Sequence, residues 1–173
     1  METIFLIGFM GSGKSTVGRL LGEKLGRRFI DTDEEIVRQE GKSINELFVE
    51  FGEAHFRELE TASLKAHPKS QTVVATGGGA PLSENNRRVM KEEGIVIFLD
   101  APADEILSRL KDDQTRPLLQ GNKKKEIDER LSRRMPIYLE SADIRIDTRG
   151  KNPERITEEI IASLKKRSRG HTC

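Results

Sequence analysis

Gly8-Phe9-Met10-Gly11-Ser12-Gly13-Lys14-Ser15 is the stretch that decides the fold of this chain. It fits the pattern G-x-x-x-x-G-K-[ST] without a gap, and its flanks are those the pattern requires. Before it runs the apolar segment Thr3–Ile7. After it, from Thr16, comes a helical period with Val17, Leu20, Leu21 and Leu25 on one stripe and Gly26 as its stop. The glycines let the backbone wrap tightly, so that successive N–H groups point inward at phosphate oxygens, and the helix N-terminus adds its positive end. Lys14 then supplies a point charge to the β and γ phosphates, and Ser15 offers a hydroxyl to Mg²⁺. The stretch reads as a nucleotide-phosphate site between a strand and a helix.

Outward from this loop, four further short apolar runs stand out, at residues 28–30, Thr72–Ala75, 95–99 and 144–146. The runs at 3–7, 72–75 and 95–99 are near-continuous rather than alternating, as expected for strands covered on both faces. Helical patterns lie between them. Ser43-Ile44-Asn45-Glu46 is a capping box that opens a helix through Leu47, Phe48 and Phe51. Ser83 can cap Glu84–Glu93, with Gly94 as the stop. Residues 126–139 carry a helical pattern that Pro136 interrupts, and residues 154–164 form a last amphipathic stretch. Strands alternating with helices predict a layered α/β domain with parallel pairing through right-handed crossovers. Residues 111–126, rich in charge and containing Pro117, Gly121 and Asn122, read as a mobile loop or lid, with a solvated connection as the alternative. The tail 165–173 is expected to fray.

Composition sets the outer bounds. A length of 173 residues fits a single domain. Thirty basic residues against 29 acidic leave a net charge of +1, so bulk charge argues for neither nucleic acid nor an anionic membrane as partner. The absence of Trp and an aromatic content of 5% weaken base-stacking readings further. No apolar stretch approaches the ~20 residues of a membrane span. Glu2, Gly8, Gly11 and Gly13 spoil residues 1–10 as a signal peptide. The one cysteine, Cys173, permits no internal disulfide, which suits a reducing cytoplasm.

Several other groups bear on chemistry. Asp31-Thr32-Asp33 closes the second apolar run, at the carboxyl end of a strand, where ligands of open α/β sheets gather. In extended backbone, Asp31 and Asp33 face one side. They suit Mg²⁺ and an acceptor group, but Thr32 or Asp33 capping a helix over 34–40 fits equally. No aspartate follows the third apolar run, so metal duty passes to Asp31 or to water. That run enters Thr76-Gly77-Gly78-Gly79-Ala80-Pro81, where three glycines suggest a close backbone approach or a flexible turn. Arg57, Arg116 and Arg134 are isolated arginines; read alone, each suits a solvated surface, Arg57 in an exposed i,i+3 pair with Glu60.

Taken in order, Gly11-Ser12-Gly13-Lys14-Ser15-Thr16, Asp31-Thr32-Asp33, Phe56-Arg57-Glu58-Leu59-Glu60, Gly77-Gly78-Gly79, Arg116-Pro117-Leu118-Leu119 and Arg134-Met135-Pro136-Ile137-Tyr138 resemble the shikimate kinase family, among the nucleoside-monophosphate-kinase-like P-loop kinases. The likeness runs from about residue 4 to 164. It implies a three-layer α/β fold with a five-stranded parallel sheet and helices on both faces. The core would be 1–110 with 126–168, the substrate-binding helical region about 32–62, and the lid about 111–125. The implied activity is ATP-dependent phosphorylation of the 3-hydroxyl of shikimate, a step towards chorismate and the aromatic amino acids, in a cytoplasmic monomer. By position, Gly11, Ser12, Gly13, Lys14, Ser15 and Thr16 would hold the ATP phosphates, and Ser15 with Asp31 the Mg²⁺. Asp33 would hold the acceptor hydroxyls and serve as base, while Arg57 and Arg134 clamp the shikimate carboxylate, Glu60 orients Arg57, and Gly78 and Gly79 close the pocket. Arg116 would reach ATP and the transferring phosphate. Arg109 and Pro153 match positions that sandwich adenine, with Lys151 beside the base. The alternatives are a related kinase acting on gluconate or a nucleoside monophosphate, and a non-catalytic ATP-sensing module.

Overall fold

The structure, a computed structural model, describes residues 2–111 and 122–170. Its centre is β1 (Thr3–Ile7), buried at every position, with β3 (Thr72–Ala75) on one side and β4 (Gly94–Asp100) on the other. Strands β2 (Arg28–Asp31) and β5 (Ile144–Asp147) form the edges, giving a parallel five-stranded sheet in the order β2-β3-β1-β4-β5. The period-two geometry of strands divides the core. Ile4 and Leu6 of β1 face α1 (Lys14–Leu25) and α7 (Pro153–Gly170), where Val17, Leu21, Ile156 and Ile160 pack. Phe5 and Ile7 face the other way, towards α4 (Glu84–Glu93), α5 (Ala103–Leu110) and α6 (Lys123–Ser141), through Met90, Ile106, Leu110, Ile127 and Tyr138. Burying each such side chain contributes about 1.5–3 kcal/mol, which is why the near-continuous apolar runs become two-sided strands.

A smaller unit, α2 (Thr32–Glu40) with α3 (Ile44–Lys65), closes over its own cluster of Ile36, Leu47 and Phe56. The capping box is present: Ser43 Oγ accepts from the Glu46 N–H at 3.1 Å, and Glu46 Oε2 accepts from the Ser43 N–H at 2.6 Å. α3 breaks at Gly52, whose φ of 83° and ψ of 172° are not helical.

The connections position the site. From β1 the chain passes through α1 to the β2 edge; from neighbouring β3 it passes through a short 3₁₀ turn (Ala80–Leu82) and α4 to β4, on the far side of β1. The loops after β1 and β3 therefore diverge, and a crevice opens at the carboxyl ends of these strands.

Several sequence expectations are corrected. Pro136 does not interrupt α6, which is helical from Lys123 to Ser141. Burial of Ile127 and Tyr138, with Leu131 and Met135 packed against the same core, outweighs the roughly 3 kcal/mol an interior proline costs. The loop expected over 111–125 ends earlier, because Asn122 caps α6 and residues 123–125 are helical; residues 112–121, with Arg116, lie outside the described residues. Helix α5, which no sequence pattern singled out, occupies 103–110. α7 is helical through Gly170 rather than frayed from 165, since its buried stripe of Ile156, Thr157 and Ile160 anchors a helix that then propagates. Residues 171–173, with Cys173, lie outside the described residues.

Gly94 is also more than a helix stop. It opens β4 opposite Thr3, and a methyl group there would lie far inside contact with the Thr3 carbonyl oxygen and 3.0 Å from the Phe5 ring. Gly94→Ala is expected to destabilise the chain by about 2 kcal/mol and lower Tm by roughly 5 °C. Gly170→Ala, at a position with nothing within 4 Å, leaves Tm unchanged in the same melt.

Candidate active site

The loop after β1 ends in Gly13, which stands at the N-cap of α1 with φ 94°, a conformation open to glycine. No side chain caps α1 and no acidic residue stands in its first turn, so the positive end of the helix suits an anion. Lys14 is buried, and its Nζ donates to the carbonyls of Gly8 (2.8 Å) and Phe9 (2.9 Å). The Ser15 hydroxyl donates to Asp31 Oδ2. The other oxygen of Asp31 accepts from the N–H groups of Asp33 (2.9 Å) and Glu34 (3.2 Å), so Asp31, not Thr32 or Asp33, caps α2. Asp33 therefore sits in the first helical turn rather than in extended chain. Both carboxylates nevertheless line one cleft of about 540 Å³ with Lys14, Ser15, Thr16, Gly77 and Gly78.

The Ser15 hydroxyl and the Asp31 carboxylate are adjacent hard oxygen donors of the kind Mg²⁺ prefers. Among the described residues no group of three acidic, His or Cys side chains could enclose a metal alone. A cation here would be shared with substrate phosphates and water, the usual arrangement for Mg²⁺.

The other side of the cleft is built around Gly77, Gly78 and Gly79. The sequence suggested that a backbone approach explains these glycines; what approaches is the protein's own side chains and backbone. A methyl group at Gly77 would collide with Glu60 Oε2 and stand 2.9 Å from Asp33 Oδ1. At Gly78 it would meet the backbone nitrogen of Met10 at 3.1 Å, and at Gly79 the guanidinium of Arg57. Missing side chains thus make room for three charged ones. The Gly77 N–H donates to Thr32 Oγ1 at 3.2 Å, tying the glycines to α2.

Arg57 Nη1 lies 3.0 Å from Glu60 Oε1, but the pair is not the exposed one expected, because Glu60 is 1% exposed. Burial pushes the Glu60 carboxyl up to about 7, with Asp33 adding to the rise and Arg57 opposing it. Burial also works against the Arg57 charge, yet Glu60 and Glu53 outweigh it and hold the guanidinium above its ordinary value. Arg134, 6% exposed on α6, stacks over the Phe9 ring at 5.5 Å. Among the described residues its buried Nη1 has no hydrogen-bond acceptor. Arg57, Arg134, Asp33 and Glu60 line one small pocket, which shares Met10, Asp33, Gly77 and Gly78 with the phosphate cleft.

The remaining candidates lie at the other end of the loop. Arg109 Nη1 donates to the Gly11 carbonyl at 2.8 Å. Pro153 opens α7, and Lys151 Nζ is bound to the Asp147 carbonyl (2.7 Å) and Glu159 (2.8 Å). Glu105, unremarked in the sequence, reaches both groups: it accepts from the Gly150 N–H at 2.9 Å and pairs with Arg109 at 3.6 Å.

The sequence model of shikimate kinase matches residues 10–165. The chain belongs to the shikimate kinase family. A shikimate kinase from Persephonella marina is 50% identical over 166 residues, which cover 95% of this chain and 100% of that protein. Among solved structures, shikimate kinase from Acinetobacter baumannii in complex with shikimate superposes with a TM-score of 0.93 at 38% identity, covering 96% of this chain and 94% of the other. The Aquifex aeolicus enzyme gives 0.84 at 42% identity, with 96% and 98% covered. The expected family and the five-stranded α/β fold are both found.

Sequence reasoning missed Thr32 as an acceptor for the glycine loop, Glu105 as a tie, and Tyr138, whose hydroxyl donates to the Gly78 carbonyl at 2.6 Å. The available signals were Thr32 between two aspartates and Tyr138 four residues, one helical turn, beyond Arg134.

The raised Glu60 value has a testable sign. A carboxyl at about 7 in the fold, against 4.5 as its ordinary value, binds more proton folded than unfolded between those limits. Stability therefore falls as pH rises through that window, by an amount on the order of 3 kcal/mol. Melts of the native chain and Glu60→Gln from pH 4.5 to 7.5 are expected to show the native chain losing Tm relative to the variant. Parallel curves would refute this.

Proposed function

We propose that this chain transfers the γ-phosphoryl group of ATP to the 3-hydroxyl of shikimate, on the route to chorismate and the aromatic amino acids. The observation that carries the proposal is the convergence of Arg57, Arg134 and Asp33 on a pocket continuous with the phosphate cleft. Two arginines suit bidentate contact with a planar carboxylate, and one aspartate suits neighbouring hydroxyls. A nucleoside monophosphate would instead bring a doubly charged phosphate beside Asp31 and Asp33.

In this reading the N–H groups of 11–16 cradle the phosphates of ATP, and the Lys14 ammonium leaves the Gly8 and Phe9 carbonyls for the β and γ oxygens. Ser15 and Asp31 would hold Mg²⁺, which supplies charge neutralisation on the phosphates. Arg57, held by Glu60, and Arg134 fix the shikimate carboxylate, and Asp33 accepts a hydrogen bond from the reacting hydroxyl. As the hydroxyl oxygen bonds to the γ-phosphorus and the bond to ADP breaks, the hydroxyl proton passes to Asp33. A loose transition state needs little prior deprotonation, so Asp33 acts mainly by orientation. Arg116 adds positive charge at the transferring group, and Arg109 and Pro153 flank adenine with Lys151 beside it. The reading also makes the chain a cytoplasmic monomer without nucleic-acid or membrane partner. A net charge of +1 gives no case for an anionic partner, and among the described residues no helix is long and apolar enough to cross a membrane.

The direct test is a coupled ADP-release assay with shikimate, quinate, gluconate and AMP as acceptors. Shikimate-dependent release is expected; release driven by AMP or gluconate in its place overturns the proposal. Arg57→Ala is expected to raise the shikimate KM by about tenfold or more, as loss of a charge-assisted contact does, with the ATP KM little changed. Equal rises for both would remove the carboxylate role of Arg57.

A further inference from the structure

Tyr138 is the only tyrosine of the chain and is fully buried on α6. Its ring stacks on Phe98 of β4, centroids 5.1 Å apart and planes inclined by 30°. Burial pushes the phenol above its ordinary value, with Arg134 partly opposing, so the oxygen keeps its proton at neutral pH and donates. The acceptor it finds is the Gly78 carbonyl, 2.6 Å away.

That carbonyl belongs to the peptide joining Gly78 to Gly79. A trans peptide is planar, and its C=O and N–H project to opposite sides. A hydroxyl that pins the carbonyl therefore aims the Gly79 N–H away from α6. Among the described residues no acceptor takes this N–H, while Gly79 lines the small pocket beside Arg57 and Arg134. The Ala80 N–H donates to the Gly77 carbonyl at 3.0 Å and closes a turn around this peptide, but a turn of glycines accepts its central peptide in either of two orientations, and the Tyr138 hydroxyl selects one. Tyr138 also stands one helical turn after Arg134, so a single turn of α6 sets both an arginine and a peptide of the same pocket.

We infer that Tyr138 is a positioning residue for the acceptor: its hydroxyl holds the Gly78–Gly79 peptide so that the Gly79 N–H faces the acceptor carboxylate. This inference rests on the acceptor site proposed above. It gives Tyr138 no contact with substrate; the residue acts through the backbone it holds.

The test is Tyr138→Phe, which keeps the stacked ring and removes the hydroxyl, with its bond to the Gly78 carbonyl and its interaction with Arg134. The shikimate KM is expected to rise by about fivefold, as loss of one buried hydrogen bond implies, with kcat within about twofold and the ATP KM unchanged. Ile160→Val, in the core on the opposite face of the sheet, lowers Tm but leaves the shikimate KM where it was. An unchanged shikimate KM in Tyr138→Phe, or a parallel rise in both KM values, overturns the inference. Arg57→Ala run alongside separates the two levels. If it raises the shikimate KM and Tyr138→Phe does not, the inference fails and the acceptor site stands; if neither does, the acceptor site fails first. A second readout leaves the chain folded as it is: with 3-fluorotyrosine at its single tyrosine, the fluorine resonance is expected to move on adding shikimate and not on adding ATP. No response to shikimate counts against the inference.

Discussion

Three consecutive residues without side chains, Gly77, Gly78 and Gly79, are the constraint on which the proposed acceptor site depends. The space they vacate is filled by a Glu60 oxygen, an Asp33 oxygen, the backbone of Met10 and the Arg57 guanidinium. Charges so placed are expensive to desolvate unless they are paired; Arg57 pairs with Glu60, while Arg134 lies over the Phe9 ring with its buried Nη1 lacking an acceptor among the described residues. Glu60 retains the mark of its burial in a carboxyl pushed up to about 7. The pocket is thus assembled before any ligand enters, which lowers the ordering needed on binding.

The sheet brings that pocket to the phosphate loop. Strands β1 and β3 are hydrogen-bonded neighbours, in register from Ile4↔Val73 to Leu6↔Ala75, and their following loops diverge from one point. Asp31, at the end of β2, completes the arrangement by capping α2 with one oxygen and taking the Ser15 hydroxyl with the other. One side chain thereby ties the phosphate loop to the helical unit that carries Asp33, and the Thr32 hydroxyl ties that unit to the glycines. The proposed donor and acceptor sites share these supports, so phosphoryl transfer, which asks mainly for positioning and charge neutralisation, is served by the fold itself.

What could be read from sequence was local. The phosphate loop, the Ser43 capping box and the apolar runs at 3–7 and 72–75 are set by residues within a few positions of each other, and the structure has them where the pattern put them. What misled depends on distant partners. Pro136 looks like a break until Ile127, Arg134 and Tyr138 are seen buried on the same helix. Glu60 looks exposed because an i,i+3 pair gives no hint that Gly77 leaves a hole beside it. Asp31 and Asp33 were placed on one side by an extended backbone that is in fact helical from Thr32, and they share a cleft for a different reason. The family resemblance supplied the roles; only the structure shows which residues hold the others in place.

The central claim is that vacated space at the glycines positions the acceptor-binding charges. Gly79 tests it most cleanly, because its φ of −92° is open to any residue and alanine there changes space alone. Calorimetric titration of Gly79→Ala with shikimate and, separately, with ATP gives the answer. Displacement of the Arg57 guanidinium should weaken shikimate binding by about tenfold or more and leave ATP binding nearly unchanged, with Tm lowered as the buried Glu60 loses its partner. Native shikimate affinity in that variant would contradict the account.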